Sequence, residues 1–162
     1  MQHAKFPEDR LFKNMQAGLI YYDSKGRIIR VNPAAEQILG YAAETLYAME
    51  PFTDYLQAVR EDGTPLSSRE YPPMQALTNG IPIEPFVIGI IQAQTQKRKW
   101  IVIDAVPEFK KGAAKPFRAF SMFRDITQKQ EKQQAEEQGH KHAAQLAEQL
   151  RITLNSIVDA VK

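Results

Sequence analysis

RAFSMFRDIT, residues 118–127, decides how this chain is read. It closes a run from Phe117 to Phe123 that reads as a buried strand, then passes through Asp125, Ile126 and Thr127 into a long polar stretch. Upstream lie short apolar segments separated by turn signals. Downstream, residues 128–162 hold no proline and one glycine, and are dominated by Gln, Glu, Lys and Ala. The decapeptide therefore joins a strand-rich domain to an exposed helix.

Working outward on the N-terminal side, residues 99–106 place Trp100, Ile101, Val102 and Ile103 in succession, a strand whose middle is covered on both faces. Residues 83–92 form a further strand, which Pro85 and Gly89 assign to a sheet edge or a bulge. Before these, Leu19–Tyr22 and Arg27–Val31 flank the polar turn Asp23-Ser24-Lys25-Gly26, the pattern of an antiparallel hairpin. Asn32 and Pro33 then suit the cap and first position of a helix that Gly40 ends, giving about two turns over NPAAEQILG. Weaker helical patterns follow, with Leu46, Tyr47, Phe52, Tyr55, Leu56 and Val59 expected inward and an interruption at Pro51. Residues 60–65 read as a solvated turn, and residues 73–78 as a helix with Met74 and Leu77 inward. At the N-terminus, residues 8–16 predict a short helix with Leu11, Phe12 and Met15 on one side. The fold class is α+β: one five-stranded antiparallel sheet, covered on one face by short helices inserted after the second strand.

On the other side of the joint, Ala143, Ala147, Leu150, Leu154, Ile157 and Val161 repeat at the alternating four-three spacing of a coiled-coil seam. The same phase meets His140, Glu136, Gln133 and Lys129 further upstream, and Gly139 costs about 1 kcal/mol relative to alanine. The seam is strong only in the last third, as expected of a helix that dimerises conditionally.

Composition narrows the chemistry. With 162 residues and 43% hydrophobic content, the chain suits one domain with an appendage. A formal charge of +2 does not announce a polyanion partner. Absence of cysteine removes disulfides, thiolate nucleophiles and cysteine-held metal sites. No apolar run approaches the roughly 18 residues of a membrane span, so a soluble, cytoplasmic fragment without membrane contact is expected.

The hairpin ending RIIRVNPAAEQILGY, residues 27–41, and the closing FRDIT, residues 123–127, together resemble the signatures of the PAS family. The chain is similar to a PAS sensor domain followed by the linker helix of bacterial or archaeal signalling proteins. Residues 150–162, LRITLNSIVDAVK, also resemble the helix and opening strand of a second PAS domain; the plainer reading is an amphipathic helix end. The expected organisation is an N-terminal flanking helix over 1–17, a PAS sensory domain over 18–127, and a linker helix over 128–162. The resemblance implies a homodimer within a longer parent, with an output such as a histidine kinase of a two-component system.

Cofactors must be sought residue by residue. A flavin-thiol adduct is impossible without cysteine, while non-covalent flavin needs only shape and hydrogen bonds. Haem is disfavoured because His3 lies near the terminus and His140 and His142 on the linker. Those two linker histidines, two residues apart, do not share a helix face, so no metal site is expected. No catalytic elbow, phosphate loop or HExxH motif occurs, and the chain is not read as an enzyme. Seven basic residues, Lys97, Arg98, Lys99, Lys110, Lys111, Lys115 and Arg118, lie near hairpin ends. Lysines there discourage edge pairing, so no nucleic-acid partner is expected.

A small organic ligand, or none, is the remaining expectation. The resemblance implies a cavity between the sheet and its helices, with Tyr71, Phe86, Trp100, Phe117 and Phe120 as candidate lining residues. Phe123, Asp125, Ile126 and Thr127 are the expected coupling residues. Asp125 should accept backbone N–H groups of the next helix or pair with Arg124 or Arg118. A ligandless interaction and oligomerisation module, and a flavin redox sensor, stand as alternatives.

Overall fold

The computed structural model describes residues 7–162 as two units, one ending at Ile126 and the other spanning Thr127–Lys162. In the first, helix α1 (Pro7–Asn14) precedes strands β1 (Gly18–Asp23) and β2 (Ile28–Val31). Helices α2 (Pro33–Leu39), α3 (Ala43–Ala48), α4 (Thr53–Leu56) and α5 (Pro72–Asn79) follow, with a 3-10 turn at Ser68–Glu70 before α5. Strands β3 (Ile83–Ile91), β4 (Arg98–Glu108) and β5 (Arg118–Asp125) complete the sheet. Its order is β2-β1-β5-β4-β3, antiparallel throughout, so the last strand in sequence lies at its centre.

Local chemistry accounts for the boundaries. Asn32 caps α2 by accepting the Ala35 N–H at 3.0 Å, and Pro33 supplies the first helical position. Gly40 ends that helix at φ 78°, a left-handed conformation that favours glycine. β3 is an edge strand with an irregularity between Ile83 and Phe86, where Pro85 could not serve a regular ladder.

Strand register divides the side chains between two faces. Ile20, Tyr22, Ile88, Ile101, Ile103 and Phe123 point to the helix side and join Leu39, Leu46, Phe52, Leu56 and Tyr71 in the main core. Tyr21, Trp100, Val102, Phe120 and Met122 take the opposite face. Three inward expectations are corrected: Leu11, Tyr47 and Tyr55 are exposed, while the neighbouring Phe12, Leu46 and Leu56 are buried. Short helices bury only a narrow stripe, and one residue of phase error moves a side chain to solvent.

The second unit is one helix, α6 (Thr127–Val161), unbroken through Gly139. It remains helical to Val161, so the opening strand suggested for residues 150–162 does not form there. No helix among the described residues is long and apolar enough to cross a membrane.

Candidate functional site

The interior between sheet and helices is filled. Buried isoleucines from β1, β3 and β4 meet Leu39, Leu46, Leu56 and the rings of Phe52, Tyr71 and Phe123. Within this apolar volume sits one polar cluster. Tyr22 and Ser121 share a long hydrogen bond of 3.4 Å, and Tyr71, whose ring meets Phe52 edge-on at 6.3 Å, is close enough to Tyr22 for the two phenols to influence each other. Burial pushes the Tyr22 phenol up to about 12, offset in part by its bond to Ser121 and by Tyr71. Burial raises Tyr71 well above the ordinary tyrosine range, and the neighbouring Tyr22 adds to the effect. Both phenols are therefore neutral, hydrogen-bonding groups at physiological pH.

The five aromatic residues expected to line one cavity do not come together. Tyr71 is in the core, and Phe86 packs at its margin opposite Ile103. Trp100 and Phe120 are on the other face of the sheet, Trp100 over Gly89 and Phe120 with its ring 5.6 Å from Tyr21. Phe117 lies just before β5, between Lys110 and Arg118, whose cationic groups are 5.6 and 5.0 Å from its ring. Identity as an aromatic did not reveal direction; the strict alternation of β4 and β5 would have separated Trp100 and Phe120 from Ile101 and Phe123.

An open cleft of about 460 Å³ does exist, at the rim of the helix layer. Its walls are the hairpin turn Lys25–Arg27, the segment Met49–Thr53 between α3 and α4, and Met74 of α5. Met49, Phe52 and Met74 belong to the core or pack against it, so the floor is apolar and anchored. Gly26 brings the turn against α5: a side chain there would meet Met74 Sδ at 2.7 Å. Arg27 on the rim is held by Asp23 at 2.7 Å and approaches Glu50 at 3.6 Å. Lys25 is exposed and has no ion-pair partner among the described residues. Thr53 Oγ1 is buried in the wall without a hydrogen-bond partner. None of these cleft residues was singled out as a site from sequence. The turn Asp23–Gly26 was legible, but its meeting with residues far along the chain was not.

At the joint, Asp125 Oδ2 accepts a hydrogen bond from Lys99 Nζ at 2.6 Å, and the Ile126 N–H donates to the Trp100 carbonyl at 2.8 Å. Lys99 is thus an ionic partner of Asp125, and Arg118 pairs with Glu108. Asp125 lies opposite Ile101 across the ladder, which brings Lys99 on the same side within reach. Phe123 is buried in the core, so the coupling segment begins inside the domain. On α6, Leu150, Leu154, Ile157 and Val161 are all exposed, and so are Leu146, Ile152 and Val158, which lie off the seam spacing. His140 and His142 are exposed, His3 lies outside the described residues, and no metal-holding cluster occurs among the described residues.

Comparison with known proteins places this geometry. Residues 9–72 match the family model described as PAS domain. A PAS domain from Colwellia psychrerythraea has 20% identity and a TM-score of 0.57, covering 75% of this chain and 95% of its own. The PAS domain of nitrogen regulation protein NR(II) from Vibrio parahaemolyticus has 16% identity and a TM-score of 0.55, covering 74% and 98%. That of an HTR-like protein from Haloarcula marismortui has 16% identity and a TM-score of 0.53, covering 74% and 88%. No curated protein matches the chain.

Proposed function

We propose that this chain, whose residues 9–72 match the family model described as PAS domain, senses and dimerises on behalf of an output domain in a longer prokaryotic protein. A small molecule or a partner-borne cue biases the packing of sheet and helices. Central strand β5 carries that bias through Phe123, Asp125, Ile126 and Thr127 into α6. A second copy of α6 receives it along Ala143, Ala147, Leu150, Leu154, Ile157 and Val161. In this reading residues 1–17 flank the sensor, 18–127 form it, and 128–162 are the linker.

One observation carries the proposal: a strand at the centre of the sheet leads directly into a 35-residue helix whose last third exposes large apolar side chains at seam spacing. Such a row in water favours a partner helix. Sedimentation velocity over a range of concentrations tests it. The wild-type chain should self-associate, and Leu150→Gln with Leu154→Gln should shift it to monomer; identical sedimentation of the two proteins overturns the dimer seam. The filled interior favours a second reading, a ligandless interaction module, in which the same helix associates without any small molecule.

A further inference from the structure

From the rim cleft we infer a binding site for a small monocarboxylate with an aromatic body, an inference that rests on the sensory reading and names its ligand class. The cleft is of the size that small-ligand sites occupy, about 300–1,000 Å³. Its apolar floor consists of two thioethers and one ring, Met49, Met74 and Phe52. Methionine sulfur packs favourably against aromatic rings, and Phe52 adds an aromatic surface, so a flat ring is the body this floor accepts.

Charge selects the other end of the ligand. The lining carries Lys25, Arg27 and Glu50, and with Asp23, which pairs with Arg27, the local charges balance. Arg27 is engaged by Asp23 and lies near Glu50, which leaves the Lys25 ammonium as the cation open to a ligand. A neutral molecule of the same shape would forgo the Lys25 interaction, and an amine would oppose it. Because the cleft opens at the rim, occupancy does not require the filled interior to empty. Its contact with the Met49–Thr53 segment and α5 gives the ligand hold of two of the elements that cover the sheet.

The test uses the full chain with methyl-labelled methionine and three probes of one shape: indole-3-acetate, indole-3-acetamide and tryptamine. The acid should bind with a Kd of roughly 0.1–1 mM, moving the Met49 and Met74 methyl resonances. The amide should bind about tenfold more weakly and tryptamine more weakly still. Lys25→Gln, a change at an exposed turn position, should bring the acid down to the level of the amide while leaving the amide unchanged. Equal binding of all three probes, no binding of the acid, or binding that leaves the Met49 and Met74 methyls unmoved overturns the inference. These readouts do not depend on self-association, so failure here leaves the sedimentation test of the sensory reading intact, and failure there leaves this one intact.

Discussion

Lys99 Nζ donates to Asp125 Oδ2 across 2.6 Å, pinning the last residue of β5 to the start of β4 one residue before the Ile126 N–H meets the Trp100 carbonyl. Both side chains are about a third exposed, at 32% and 28%, so the pair contributes only about 0.2–1 kcal/mol. Its importance is positional. Asp125→Asn or Lys99→Met should leave global stability within about 1 kcal/mol of wild type. The Ile126 amide should exchange up to about fivefold faster, as local opening of the strand end becomes easier. Hydrogen-exchange NMR reads this directly, and an unchanged Ile126 rate would show that the ladder alone secures the joint.

Alkaline pH should unfold the domain through its buried phenols. The folded-state value of Tyr22, about 12, stands above the ordinary value of 10, and Tyr71 is raised as well. Above pH 10 the unfolded chain therefore binds fewer protons than the folded one, and stability falls as pH rises. The contribution is complete below pH 10 and is lost on passing toward about 12. Urea unfolding from pH 8 upward should be flat at first and then decline. Tyr22→Phe should flatten the decline while costing about 1 kcal/mol at neutral pH through the lost hydroxyl contacts. A decline equally steep in the variant would assign it to other groups.

Asn32 should be among the least replaceable residues of the domain. It is fully buried, and its Oδ1 accepts from the Leu19 N–H at 2.8 Å and the Ala35 N–H at 3.0 Å. Its Nδ2 donates to the carbonyls of Phe12 at 3.2 Å and Ala17 at 2.9 Å. Asn32→Ala should cost roughly 3 kcal/mol or more, since several buried backbone groups lose their partner at once. Asn32→Asp should cost at least as much, because a carboxylate has no donor for the two carbonyls. Chemical denaturation of both variants checks the ranking; a loss below about 1 kcal/mol would mean a cap and nothing more.

The contrast between Asn32 and the cleft shows what the sequence made legible. Capping is a local rule, so Asn32-Pro33 and Gly40 marked α2 correctly, and the hairpin and edge strand β3 followed from equally local patterns. Even so, the bonds from Asn32 to Leu19, Phe12 and Ala17 are tertiary and carried no sequence signal. Trp100 and Phe120 share aromatic character with Tyr71, yet strand alternation places them across the sheet from it. The cleft joins residues 25–27, 49–53 and 74, a juxtaposition no spacing rule encodes. Lys99 escaped notice as partner of Asp125 because the choice among nearby cations depends on the β4–β5 register.

Gly139 offers a direct handle on α6. A β-carbon at that position would meet nothing within 4 Å, so Gly139→Ala adds a side chain without displacing a neighbour. Alanine favours a helix interior by about 1 kcal/mol over glycine, and the residue lies in a 35-residue helix just before the apolar row begins at Ala143. The substitution should therefore raise the helical circular-dichroism signal and its melting temperature. Where self-association is coupled to helix formation, it should also tighten the dimer by up to about fivefold, the factor that about 1 kcal/mol allows. The variant separates two accounts of the linker. If α6 serves as a relay held near its folding threshold, removing the weak point should make association less sensitive to cleft ligands and to substitution at Lys99 or Asp125. If the helix is a passive spacer, Gly139→Ala will stabilise it and change neither sensitivity.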